Sequence, residues 1–342
     1  MRIAFVLLLL SAAIITSCSD KKNIPDVSNI KVGLSVQRFE KDLFTIDTSD
    51  FALQLDKLQA KYPAFGENFI YTVLNADAKW PPDTVASYVA GFVKEYRKVY
   101  DSSEKVFKNF TAVENEIKKG LQFLKYYFPA YKAPSKVVTF IGPVDGIGIA
   151  LDSDAFCVGL QSYLGKDFPL YKSEQVLKIY PEYVSRRFEP DYIAINCMQL
   201  VTGEIYPEKL EDKPLVQQMV EKGKSLYLLQ KILPYTAENK LIGYTEQQMK
   251  MCYANEVKIW SLFTQNNMLQ TIDNNIIRNY IGESPKTQEL SDDNGNFAPG
   301  NIGSFAGWQI IKKYMNKYPE TKLPDLLAMD AETIFEKAKY KP

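Results

Sequence analysis

The chain contains no histidine. Ser-His-Asp and Cys-His sites need an imidazole as base, and the HExxH zinc helix needs two as ligands. Composition alone excludes those mechanisms. Cysteine is scarce too: Cys18, Cys157, Cys197 and Cys252 show no CxxC spacing, so no zinc-knuckle or thioredoxin-like motif is present. Neither sign of charge is in excess. Lys plus Arg and Asp plus Glu both number 41, which gives no electrostatic reason to expect a nucleic-acid partner. After residue 17 no long apolar run recurs, so the body is expected to be soluble.

What is present begins at the N terminus. Arg2 precedes an unbroken apolar run over residues 3–10, and polar Thr16, Ser17, Ser19 and Asp20 end the apolar segment too early for a spanning helix. This is the layout of a secretory signal, residues 1–17. The stretch Ile15-Thr16-Ser17-Cys18 resembles a bacterial lipobox, with an aliphatic residue three before the cysteine and a small one directly before it. The expected product is cleaved before Cys18 and carries diacylglycerol and fatty-acyl chains such as palmitate. Two or more chains give a stable bilayer anchor. Three thiols then remain, read as buried and free. Residues 18–29 read as a polar tether, and residues 30–342 as one α+β domain, predominantly helical, with helices packed around a small sheet.

Apolar spacing places the elements. Phe51, Leu55, Leu58 and Tyr62 predict a helix over 51–62, and Val85, Tyr88, Val89, Phe92, Tyr96 and Val99 a second. Asp101-Ser102-Ser103 predicts the cap of a third, carrying Val106, Phe110, Val113, Ile117, Leu121 and Leu124. The β-branched run 136–141 predicts a buried strand, followed by short strands at 147–151 and 155–160. Helices are expected at 175–180, 191–202, 215–233, 245–264, 303–318 and 330–338. Thr245 and Gln248 have capping-box spacing for the fourth of these. Residues 284–300 read as a polar loop.

Candidate chemistry is thin. The glycine-rich segment 142–148 is followed by β-like residues, so it reads as a hairpin connection rather than a phosphate cradle. Asp152 and Asp154 share one side of a strand and form a possible acid–base pair, with two solvated loop acids as the ordinary alternative. The oxygen-rich run 292–296 lacks the glycine position and closing glutamate of an EF-hand. Glu256, beside Val257, Ile259 and Trp260, reads as a structural acid hydrogen-bonded to backbone or to Lys224.

An ordered set of motifs carries a family resemblance: RFEKDLF at 38–44, YLG at 163–165, FEP at 188–190, GKSLY at 223–227 and YTEQQ at 244–248. NEVKIW at 255–260, PGNIG at 299–303, GWQII at 307–311 and the tail KYKP at 339–342 complete it. Together they resemble the gliding motility lipoprotein GldB family of Bacteroidetes bacteria. Its motif residues Gly223, Lys224, Tyr227, Glu256, Trp260, Gly303, Gly307 and Trp308 are candidates of unassigned role. The resemblance implies a cell-envelope lipoprotein associated with gliding motility and type IX secretion, with other envelope proteins of that machinery as partners. It also implies a zincin-like fold, in which a small sheet is followed by the helix that carries HExxH in active peptidases. The corresponding segment here, 191–200, has neither histidine nor glutamate, and Glu221 on the later helix has no partner ligands. The expectation is a pseudo-peptidase scaffold that is not an enzyme, holds no metal or cofactor, and binds or assembles partners. Ser19-Asp20-Lys21-Lys22 lacks an acidic surface-export cluster, so a periplasm-facing leaflet is expected. Two alternatives stand beside this: a glycan-active hydrolase using Asp152 and Asp154, and a lipoprotein with an enclosed apolar ligand cavity.

Overall fold

The computed structural model describes residues 24–265, 267–292 and 295–342. Cys18, the signal segment and most of the tether lie outside the described residues. Packing onto the body begins at Val27, which is 1% exposed. The segment read as tether therefore joins the domain before residue 30.

Four short runs meet in one sheet: β1 (Ser35–Arg38), β2 (Lys136–Phe140), β3 (Ile149–Asp152) and β4 (Ala155–Gly159), in the order β1-β2-β4-β3. β4 pairs parallel to β2, and β2 parallel to β1, whereas β3 runs antiparallel to β4 through a tight turn at Ser153, φ 50°. Central position explains composition. β4 is buried throughout and β2 along all but its first residue, so both are apolar or β-branched, while β3 at the edge is half-buried.

Parallel neighbours need a long crossover, and the link from β1 to β2 is helical. It comprises α1 (Phe39–Phe44), α2 (Phe51–Lys61), α3 (Pro82–Glu95), α4 (Arg97–Val106) and α5 (Thr111–Tyr127). Their apolar faces close on the sheet through an aromatic cluster in which Phe39 lies 4.8 Å from Phe69 and Phe65 lies 5.4 Å from Phe140, ring centre to ring centre. The expected second helix divides at Tyr96, whose ring stacks on Phe92 at 4.4 Å. Asp101-Ser102-Ser103 is not a cap. It lies inside α4, where Ser102 and Ser103 donate back to the carbonyls of Lys98 and Tyr100.

After the sheet come α6 (Tyr192–Ile205), α7 (Leu215–Ile232), α8 (Glu246–Ala254), α9 (Glu256–Gln265) and α10 (Asn274–Ile281). α11 (Ile302–Lys317), α12 (Leu323–Ala328) and α13 (Ala331–Ala338) complete the chain. The capping box of Thr245 and Gln248 opens α8. The helix expected over 245–264 breaks at Asn255, whose side chain donates to the Met251 carbonyl at 3.0 Å. The segment read as a polar loop at 284–300 contains a small ladder of β5 (Thr287–Ser291) and β6 (Phe297–Ala298). The fold is α+β and predominantly helical. α6 meets the sheet mainly through β3. No helix of the described residues is long and apolar enough to cross a membrane.

Candidate functional site

A cleft of about 800 Å³ lies between the sheet edge and the second helical layer. The start of β3 (Gly148 and Ile149) forms its margin, α6 and α7 form its walls, and the first turn of α11 closes one side. α6 has two faces. Ile193, Ala194, Cys197, Met198 and Val201 are buried in the core, whereas Tyr192, Asn196, Gln199 and Gly203 look into the cleft. That division is the 3.6-residue period at work.

Polar groups in the cleft are mostly held. Asn196 donates to the Tyr163 hydroxyl at 2.8 Å. The Tyr206 hydroxyl donates to Glu221 behind the wall. Lys222 pairs with Glu208 and Lys240 with Asp191, each at 2.6 Å, and the hydrogen bond to Asp191 raises the Lys240 pKa. Arg187 grips Glu283 with two 2.7 Å bonds. Tyrosines at 163, 180, 192 and 206 and Phe188 supply ring faces. The arrangement offers hydrogen bonding and aromatic contact to an occupant.

It does not suit zinc. α6 presents Tyr192, Asn196 and Gln199 to the cleft, and its Cys197 turns away, fully buried. Among the described residues no group of three or more cysteine or carboxylate ligands converges, and catalytic zinc needs three. Glu221 is spent on Tyr206, Lys213 and Lys224. Burial pushes the Cys157 and Cys252 thiols up to about 12 and Cys197 higher still, so each is held as thiol.

The candidates read from sequence scatter. Asp152 and Asp154 sit at the tip of the β3–β4 hairpin outside the cleft. Asp152 accepts from Asn68, and Asp154, held low by its bond to Ser135, also meets Lys136. Asp154 is therefore not the raised-pKa acid that glycoside hydrolysis asks for. Nor is the cleft an enclosed apolar cavity. Glu256 bonds the Tyr340 hydroxyl at 2.6 Å, not Lys224, and Trp260 stacks edge-on against Tyr340, so this pair pins the C-terminal tail. Gly223 and Gly307 lie where α7 and α11 touch, and a Cβ on Gly303 would come within 2.9 Å of the Tyr280 carbonyl. Lys224 is buried with Glu221, Tyr227 is buried beneath Lys231, and Trp308 is fully buried beneath Lys312.

Sequence reasoning missed the residues that shape the cleft: Arg187, Asn196, Glu283, Asn301 and Ser304. Asn301 stands inside the PGNIG motif, with Ser304 directly after it. Their three-residue spacing at a helix start was the available signal.

A family model described as gliding motility protein GldB matches residues 20–342, nearly the whole chain. No curated protein and no solved structure matches it.

Proposed function

The chain belongs to the gliding motility protein GldB family, and from that premise we propose that it is a lipid-anchored envelope protein that binds a partner segment without transforming it. The observation that carries this reading is the cleft beside the open edge of β3. In an antiparallel ladder alternate residues turn their backbone groups outward. Gly159 N–H bonds the Gly148 carbonyl, so Gly148, Ala150 and Asp152 face β4 while Ile149 and Leu151 face outward. An extended segment adds to such an edge through main-chain bonds, with side-chain pockets alongside. The aromatic, amide and hydroxyl lining supports recognition, and the carboxylates of the cleft, Glu208 and Glu283, are each paired with a cation.

The lipobox at Cys18 supports anchoring, with the body facing the periplasm and envelope proteins of the gliding and secretion machinery as partners. Cys18→Ala is then expected to abolish acyl labelling and release the protein from membranes. Unchanged partition without label would defeat the anchor. A photo-crosslinking residue at Gln199 is expected to capture envelope proteins in cells, and the same residue at exposed Tyr235 is not. Equal capture at both positions would defeat the cleft as the binding site. Digestion of the body by protease added to intact cells would defeat the periplasmic orientation.

A further inference from the structure

α11 is a sixteen-residue helix whose first turn opens on the cleft. Its N-cap, Asn301, adopts left-handed backbone at φ 63°, and its side chain caps nothing. The first bonds run from Ser304 N and Phe305 N to the Asn301 carbonyl. The N–H groups of Ile302 and Gly303 therefore have no acceptor among the described residues, at the positive end of the helix. A second observation is independent of the helix dipole. Ser304 is 2% exposed, lines the cleft, and its Oγ has no hydrogen-bond partner. The Asn301 Oδ1, three residues earlier on the same face, is likewise buried and unpartnered. Buried hydroxyls are ordinarily bonded, because leaving one unpartnered away from water forfeits its hydration with nothing in return. Two orphans on one face mark a place for a ligand.

A cation stands at the same corner. Arg187, Gly243, Glu283 and Asn301 together line both the cleft and a smaller recess opening from it. Gly243, φ 79°, leaves the space Arg187 occupies, since a Cβ there would lie 2.8 Å from Nη1. Glu283 fills the Arg187 fork, and its side chain is 53% exposed against 24% for Arg187. The fork already holds a carboxylate, and the more solvated member of the pair is the acid.

Resting on the partner-binding reading, we propose that this corner is a carboxylate-recognition subsite. A carboxylate of the bound segment, terminal or side-chain, exchanges with Glu283 on Arg187 and accepts the Ser304 hydroxyl. An amide of the same segment donates to Asn301. Glu283 is the competitor that holds the fork until a partner arrives.

The test uses the full lipoprotein in detergent, immobilised, with three synthetic pools of random octapeptides. One lacks Asp and Glu and ends in a free carboxylate, the second is the same pool amidated, and the third is amidated but contains Asp and Glu. Retention is read by mass spectrometry. The first or third pool is expected to exceed the second by about tenfold, the worth of one charge-assisted bond, and which of them wins names the source. Arg187→Gln and Ser304→Ala are expected to remove that excess with the melting temperature held. Glu283→Gln is expected to increase it, a gain that misfolding does not produce. Equal retention of all three pools, or a loss with Glu283→Gln, overturns the subsite while leaving the cleft as a peptide groove. No retention of any pool overturns both.

Discussion

Gly223 and Gly307 face each other where α7 crosses α11: a Cβ on Gly223 would stand 2.3 Å from the Gly307 carbonyl oxygen, and one on Gly307 would stand 1.7 Å from that of Met219. Two long helices therefore touch backbone to backbone. Both helices line the cleft, through Lys222, Ser225, Leu226 and Leu229 on one and Ser304, after the N-cap Asn301, on the other. The two core glycines thus set how closely these lining helices approach each other.

Gly307→Ala is the direct probe. The added methyl meets main chain, not a side chain that can swing aside, so the helices must separate. The expected loss exceeds the roughly 1–3 kcal/mol typical of core overpacking, read from urea unfolding. Gly203→Ala, on the cleft face of α6 with nothing within 4 Å of its added Cβ, is the control and is expected to leave stability almost unchanged. A mild effect at Gly307 would mean that the crossing is looser than described.

A second prediction concerns Lys224 and Glu221, each 1% exposed and 3.3 Å apart. Lys224 also donates to the carbonyls of Leu327 and Met329, which ties α7 to the turn between α12 and α13. Burial lowers the Lys224 pKa, so the charge is retained by its partners. Lys224→Met leaves the buried Glu221 carboxylate with Lys213, at 3.5 Å, as its remaining ion-pair partner and bares two carbonyls, and is expected to cost about 3 kcal/mol. Adding Glu221→Gln is expected to return part of that loss. A double variant no better than the single would show that the carbonyl bonds, not the ion pair, carry the energy.

How much of this was legible follows from the range of each signal. The run 136–141, the two short strands after it and the capping box at Thr245 are local patterns, and all three appear; the segment 142–148, read as a hairpin connection, instead joins β2 to a β3 that lies beyond β4 in the sheet. The stripe from Val85 to Val99 keeps its helical phase across the break at Tyr96, so periodicity is blind to that break. Asp101-Ser102-Ser103 has cap chemistry, yet the serines bond backward inside a helix already begun. β5 and β6 are short and polar, and pairing rather than composition makes them strands. The cleft needs Gly148, Asn196, Lys222, Gly243 and Asn301 together, residues that only the tertiary fold assembles. Its unpartnered hydroxyl is a property of packing and has no sequence signature.

A third prediction is a pH dependence. Glu40 is fully buried and bonds Thr139 at 2.6 Å and Arg38 at 2.5 Å. Burial, acting against the Arg38 charge, raises its carboxyl above the ordinary 4.5. The folded chain therefore holds a proton that the unfolded chain has released. That stabilisation is fully present below about 4.5 and is lost as pH rises through the folded value. Glu40→Gln removes the linkage, and Arg38 keeps Glu104 and the Phe107 carbonyl. The stability of Glu40→Gln relative to wild type is expected to improve from pH 4.5 to pH 8. A difference that is flat or falls with pH would show that the Arg38 charge outweighs burial.

The last prediction concerns the thiols and the metal. Cys157, Cys197 and Cys252 are buried and free. A thiol whose pKa is pushed to about 12, as for Cys157 and Cys252, is thiolate in roughly one molecule in ten thousand at pH 8, and the thiolate is both nucleophile and metal ligand. Iodoacetamide is therefore expected to spare all three in the native protein and to label all three in denaturant. Cys197 is the sharpest case, because it neighbours the cleft-facing Asn196 on α6 yet faces the core, with no exposed surface. Its thiol would have to ionise inside the protein, where burial pushes its pKa well up. Protein purified without chelators is accordingly expected to contain no stoichiometric zinc. Zinc at one per chain that is lost on Cys197→Ala would overturn the non-catalytic reading, and rapid native alkylation of Cys197 would show that the helix opens towards solvent.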